Sequence, residues 1–324
     1  MGLVHRVNNN SMKIWVSEYA KKEANFFKYI KFPAEFYLNH NGISEMPMNY
    51  DAYMFTSQCF GRETIDYLLQ NGKKVIFCVF HGDGVHLPNR EELLKYDNFI
   101  ILSSARDGNP INILDFPNAH FNIMLPLAYF YTLFAVPLYD FQQINVDKKY
   151  KVGLWHTPEY RHDRDHMLTQ ISKIDKTNSQ FKIINQKNTE QFDALVGTDL
   201  DVSYKFWHCQ YFNFLDCEMF LSFESANPFS VPYFCSDKVL KGFIMERLGI
   251  PTIQIVHPVI LEELKKAGFY MNGYSDYSDT IVNQILSSDV SELKKNCLEA
   301  DNLGKLTNVI ENGELRDYLT NIIL

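Results

Sequence analysis

Three polar clusters hold residues able to move a proton or bind an anion. The first is His81-Gly82-Asp83-Gly84, which directly follows the apolar run KVIFCVF at 74–80. A carboxylate or imidazole at a strand end, on backbone freed by glycine to turn tightly, is placed to take a proton from a hydroxyl. Asp83 and His81 are candidate bases on that ground. Glu18, just after a run at 13–17, is a third. A plain turn with Asp83 capping the next segment explains the first cluster equally well. His86 and Arg106 are weaker candidates for substrate contact.

The second cluster is set in MFLSFESANPFSVPYFCSDKVLKGFIMERLGIPTIQIV, residues 219–256. A short apolar run at 219–223 reads as a buried parallel strand. Glu224, Ser225 and Asn227 follow at its C-terminal end, where open α/β sheets place their ligand crevice. Pro228 and Pro232 forbid a helix through the loop. Ser236 is a good N-cap for a helix opening at Asp237. Val239, Leu240, Phe243, Ile244 and Leu248 give that helix an apolar face. Gly249 stops it, and Pro251 leads into a second β-rich run at 252–256. The free N–H groups and dipole of the first turn favour a phosphate, and Lys238 adds a charge. A plain βαβ unit with Lys238 solvated is the bland alternative.

The third cluster, Trp155-His156-Thr157-Pro158-Glu159-Tyr160-Arg161, follows a strand at 150–155. His156 and Arg161 can neutralise charge on a leaving group, or merely open a helix. His162 and His166, four apart, share a helix face, but no further ligand has a suitable spacing, so no metal site is expected. Asp163-Arg164-Asp165 and Asp199-Leu200-Asp201 both read Asp-x-Asp. The second follows an apolar run and is the better candidate for a divalent cation.

The second cluster resembles the donor motif of family 10 glycosyltransferases, the α1,3-fucosyltransferases. That motif has a strand ending Phe-Glu-Asn-Ser, a short loop, Tyr-x-Thr-Glu-Lys opening a helix, and Gly-x-Pro closing it. This chain has Phe223-Glu224-Ser225-Ala226, then Tyr233-Phe234-Cys235-Ser236-Asp237-Lys238, then Gly249-Ile250-Pro251. Ser-Ala thus replaces Asn-Ser, and Ser-Asp-Lys replaces Thr-Glu-Lys. The resemblance implies that Glu224 and Lys238 help hold a nucleotide sugar, GDP- or UDP-linked. It implies transfer to a hydroxyl with inversion, needing no cofactor or metal. Trp155, His156, Thr157, Arg161, Ser225, Asn227, Ser236 and Asp237 then belong to the donor site. Three alternatives stay open: a metal-dependent GT-A-like transferase using Asp199 and Asp201, a sugar-nucleotide epimerase, and a non-catalytic nucleotide- or glycan-binding module.

The elements that must position these residues repeat a strand-helix pattern. Strands are expected at 13–17, 53–56, 74–80 and 99–102, with helices at 24–30, 62–70 and from 91. The scheme restarts with strands at 150–155, 181–185, 194–196 and 219–223, helices at 163–174 and within 205–214, and closing helices at 279–286, 290–302 and 314–323. Such alternation indicates parallel sheets covered by helices. The expected fold is α/β, with two Rossmann-like domains facing across a cleft, the GT-B architecture. The domains are read as 12–142 for the acceptor and 150–324 for the nucleotide sugar, with 1–11 set aside.

The chain has 324 residues, 46% of them apolar, enough for full cores in about two domains. A formal charge of −8 disfavours a nucleic-acid acceptor against a glycan or other hydroxyl. Six cysteines without paired spacing point to a reducing, cytoplasmic setting. The uncharged run at 121–139 is long enough to span a bilayer, but Asn122, Pro126 and Pro137 interrupt it. A helix buried near the domain junction is expected, with peripheral membrane contact as the alternative. Nothing in the sequence sets the oligomeric state.

Overall fold

The computed structural model describes residues 11–39, 47–56, 62–80, 90–93, 95–104, 117–134, 146–156, 162–176, 179–185, 213–223, 235–274 and 280–324. Within them the strands form two all-parallel sheets. The first contains β1 (Met12–Val16), β2 (Ala34–Leu38), β3 (Ala52–Thr56), β4 (Lys74–Val79), β5 (Phe99–Ser103) and β6 (Ala119–Phe121), in the order β2-β1-β3-β4-β5-β6. The second contains β7 (Tyr150–His156), β8 (Phe181–Asn185), β9 (Cys217–Phe223), β10 (Thr252–Ile255) and β11 (Gly273–Tyr274), in the order β8-β7-β9-β10-β11. Each sheet steps out to one edge, then crosses back and builds the other way. Each therefore has a topological switch point, β1/β3 in the first and β7/β9 in the second, where ligands of such sheets bind.

The helices are α1 (Lys21–Tyr29), α2 (Arg62–Gln70), α3 (Arg90–Leu93), α4 (Met124–Phe134), α5 (His162–Ile174), α6 (Asp237–Arg247), α7 (Pro258–Lys266), α8 (Ile281–Ser287), α9 (Val290–Ala300), α10 (Asn302–Glu311) and α11 (Glu314–Ile323). The uncharged run supplies α4, a buried helix. Asn122 Oδ1 accepts the Met124 N–H at 2.9 Å and starts it. Pro126 falls in the first turn, where its missing N–H costs nothing. Leu125, Leu127, Ala128 and Tyr129 are wholly buried. Among the described residues no helix is long and apolar enough to cross a membrane.

Several boundaries differ from the sequence expectation. The helix expected at 24–30 begins at Lys21, after a short 3-10 turn at Glu18–Ala20. The helix expected to run to 302 ends at Ala300, because Asp301 turns left-handed (φ 42°). The Asp301 carboxylate then accepts the Gly304 N–H at 3.2 Å and opens α10, which no sequence pattern announced. The strand expected at 194–196 lies outside the described residues, as do residues 205–212 of the stretch 205–214 expected to hold a helix.

The two sheets do not keep separate cores. One apolar cluster joins a face of the first sheet (Ile14, Met54, Ile76, Leu102) and α1 and α4 to Phe220 of β9, α6, α7, α10 and α11. Two smaller clusters line the outer faces of the sheets. Two polar links reinforce the joint. Cys235 N–H donates to the Ser104 carbonyl at 3.1 Å. Lys74 Nζ donates to the carbonyl of Ile323 at the end of α11, where a cation suits the helix dipole.

Candidate functional site

The mouth of α6 is built as the sequence expects. Ser236 is extended (φ −104°, ψ 178°), and its Oγ accepts the Lys238 N–H at 3.2 Å. Lys238 Nζ lies 3.4 Å from Ser236 Oγ and 3.5 Å from Asp237 Oδ1. Lys241 Nζ lies 2.6 Å from Asp237 Oδ2. Burial alone would push the Asp237 carboxyl up. The two ammonium groups outweigh it and hold the acid well below the usual carboxylate range. Asp237 is thus a counter-ion that orients two lysines at the helix mouth.

Three sheet side chains fix where that mouth lies. Ser222 Oγ of β9 donates to the Lys238 carbonyl at 2.9 Å. Thr252 Oγ1 of β10 donates to the Gly242 carbonyl at 3.1 Å, and Gln254 Nε2 to the Val239 carbonyl at 3.4 Å. Glycine at 242 leaves room for this seat, since an added Cβ would stand 2.4 Å from Gln254 Nε2 and 3.1 Å from Thr252 Cγ2 and would force Gln254 to move. At its far end the helix stops at Gly249, whose φ of +81° suits glycine.

At the β7/β9 switch point, Leu154 pairs with Leu221. The register carried two residues further sets His156 beside Phe223, the last residue of β9. Trp155 is partly buried, its ring 6.2 Å from that of Phe214. His257, at the end of β10 on the same edge, had no place in the sequence reading. Its Nδ1 accepts the Val259 N–H at 3.2 Å and caps α7, which leaves the proton of the neutral ring on Nε2. Burial lowers its pKa, in keeping with that neutral form. Its signal in the sequence was His-Pro after a β run, the N-cap and first residue of a helix.

The first sheet presents a different edge. Glu18 and Tyr19 are exposed at the end of β1, between buried Ser17 and buried Ala20. Val16 pairs with Met54, and the Ser17 N–H donates to the Met54 carbonyl at 3.1 Å, which holds the end of β1 against β3, whose last residue is Thr56. Thr56 in turn pairs with Cys78. Above them, in the first turn of α1, Glu23 is 2% exposed and accepts the Tyr129 hydroxyl of α4 at 2.9 Å. Burial raises the Glu23 pKa, only partly opposed by its own backbone N–H, Tyr129 and Lys22. Among the described residues five buried side-chain atoms lack a hydrogen-bond partner. Four belong to this half: Ser17 Oγ, Glu23 Oε2, Thr56 Oγ1 and Ser104 Oγ. Ser17, Thr56 and Ser104 stand at the C-terminal ends of β1, β3 and β5, and Glu23 in the first turn of α1; buried polar atoms left open in this way call for a ligand or water.

Asp83, His81, His86, Arg106, Thr157, Arg161, Asp199, Asp201, Glu224, Ser225 and Asn227 lie outside the described residues. His162 to Asp165 fall on the first turn of α5. Among the described residues no three His, Cys, Asp or Glu side chains are grouped to hold a metal ion. The four described cysteines, Cys78, Cys217, Cys235 and Cys297, are buried.

No family model matches the sequence, and no curated protein matches it. Solved structures do match the fold. An α1,3-fucosyltransferase crystallised with GDP superposes at a TM-score of 0.52 and 10% identity, over 93% of this chain and 84% of that one. A glycosyltransferase of kitacinnamycin matches at a TM-score of 0.43 and 11% identity, over 97% and 99%. A putative UDP-N-acetylglucosamine 2-epimerase from Listeria monocytogenes matches at 0.43 and 10% identity, over 90% and 92%. The chain therefore has the two-domain α/β architecture of GT-B proteins. Within that class it is similar in fold to an α1,3-fucosyltransferase.

Proposed function

We propose that the protein is a glycosyltransferase that moves a sugar from a nucleotide-diphosphate sugar, GDP- or UDP-linked, to an acceptor hydroxyl. The observation that carries this reading is the mouth of α6. There a capped first turn and the Lys238 ammonium stand at the C-terminal edge of a parallel sheet. The helix dipole and a cation together favour a diphosphate at this mouth. His156, Thr157, Arg161, Trp155, Glu224, Ser225, Asn227 and Ser236 would surround the same ligand.

The acceptor would meet the end of the first sheet, with Asp83, His81 or Glu18 as base. The acceptor oxygen bonds to the anomeric carbon as the bond from that carbon to the diphosphate oxygen breaks. The leaving diphosphate takes the electron pair, and the base takes the acceptor proton. Displacement in one step inverts the anomeric centre. Charge on the leaving group is met by the helix mouth and cationic side chains, so no divalent metal is required. The acceptor half is read as 12–142 and the donor half as 150–324, working in a reducing, cytoplasmic compartment.

Calorimetry with GDP and UDP tests the reading. Lys238→Ala is expected to weaken diphosphate binding about tenfold, since a hydrogen bond to a charged group contributes roughly 1.5–3 kcal/mol. The helix survives, because Ala is the better helix former. Equal affinity in Lys238→Ala and wild type would show α6 to be a fold element only.

A further inference from the structure

Ser104 is the residue where the two halves touch at the candidate site. It follows β5, is wholly buried, and its Oγ has no hydrogen-bond partner among the described residues. Its backbone is held from both sides. The N–H donates to the Val79 carbonyl at 2.8 Å, and the carbonyl accepts the Cys235 N–H at 3.1 Å. Cys235 immediately precedes Ser236, the N-cap of the eleven-residue α6. A residue of the first sheet is thereby pinned one position away from the mouth of a helix in the second half. A buried hydroxyl is almost always hydrogen-bonded, and one left open beside an anion site points to the anion as its partner.

We propose that Ser104 completes the anion site from the opposite half of the molecule, its hydroxyl donating to a phosphate oxygen held at the mouth of α6. The proposal rests on the donor-site reading above and adds to it. The nucleotide diphosphate is then gripped by the second half through the first turn of α6 and Lys238. The first half grips it through Ser104. Phosphate suits this position because it offers several acceptor oxygens to donors that converge from different elements. The hydroxyl adds a donor without adding charge beside Asp237, which already holds Lys238 and Lys241.

Calorimetric titration of the full chain with GDP, UDP and inorganic pyrophosphate, in wild type and Ser104→Ala, tests this. The variant is expected to bind the diphosphate about tenfold more weakly, the size of one lost hydrogen bond. Without ligand it is expected to melt no lower than wild type, because the hydroxyl it loses has no protein partner. Unchanged affinity overturns the proposal and leaves the donor site standing. A variant that melts lower, or fails to fold, shows the hydroxyl to be structural and also overturns it. Failure of wild type to bind all three probes removes the donor-site reading itself, and the role of Ser104 with it.

Discussion

The two sheets have the same strand order but close their polar groups differently. In the second half, Ser222, Thr252, Gln254 and Ser236 all spend side-chain hydrogen bonds on α6, Asp237 is bound to two lysines, and among the described residues one buried side-chain atom, Gln254 Oε1, stays open. In the first half, Ser17, Thr56, Ser104 and one oxygen of Glu23 stay open at the corresponding edge. A network with most of its bonds made holds one geometry and is nearly ready before its ligand arrives, though Gln254 Oε1 stays open in it. An edge with open hydroxyls has hydrogen bonds still to make. Under the proposed function the difference gives the halves distinct tasks: the second would present a largely preformed anion cradle, and the first would supply groups for a partner that brings its own hydroxyls or oxygens.

The buried carboxyls give the largest test of this contrast. Glu246 of α6 accepts Asn302 Nδ2 at 3.0 Å. Burial pushes its pKa up to about 8, against the hydrogen bonds of Asn302 and Cys297. Because the folded value lies above the unfolded one, the protonated acid's contribution is fully present below the unfolded pKa near 4.5 and is lost as pH rises to about 8. Glu246→Gln is expected to remove this loss, at most about 1.4 kcal/mol per pH unit across that window. Thermal melts at pH 5, 6.5 and 8 should show the variant gaining on wild type as pH rises. Parallel curves would mean that the carboxyl is ionised in the fold.

Gly242→Val comes next. The added side chain drives α6 off Gln254 and Thr252, a cost of about 1–3 kcal/mol for an overpacked contact. It should weaken GDP or UDP binding as well, because the helix mouth moves with its seat. Normal binding in a destabilised Gly242→Val protein would separate seat from mouth and break the idea of a preformed cradle. The smallest effects carry the sharpest contrast, since they differ in sign. Ser236→Ala removes a cap in use and is expected to lower stability by about 1 kcal/mol. Thr56→Val removes an open hydroxyl at nearly constant shape and is expected to leave stability unchanged or raise it by about 1 kcal/mol. Urea unfolding of both reads the comparison directly, and losses of equal size would show that Thr56 is satisfied after all.

Much of the second half was legible because its signals are local. Ser236, the apolar face of α6, Gly249 and Pro251 each announce themselves within a turn or two, and the helix runs from Asp237 as read. The central strands β3, β4 and β5 were legible as continuous apolar runs, which burial on both faces requires. Edge strands were not. In β2 exposed and half-buried residues alternate, while β6 and β11 have three and two residues, too short to show a period. Helix α10 was hidden by Asn302, Gly304 and Asn308, poor helix formers whose cost is offset by burial of Leu303, Leu306 and Ile310. The open hydroxyls of Ser17, Thr56 and Ser104 had no sequence signal, because lacking a partner is a property of the whole fold. Nor did the link from Ser104 to Cys235, which spans 131 positions and exists only once both halves are docked.

The shared apolar cluster also sets a timetable for the chain. Residues from β1 to α4 belong to the same cluster as Leu303, Leu306, Leu315, Leu319 and Ile323. During synthesis the first half therefore leaves the ribosome with the α4 surface that α10 will cover still bare. It stays bare until Asn302, where α10 opens, has been added. For that interval the nascent chain carries an apolar face that can stick to other chains, the condition under which holding chaperones are recruited. Helices α10 and α11 close that face, so a chain cut before Asn302 would be aggregation-prone with both sheets already translated.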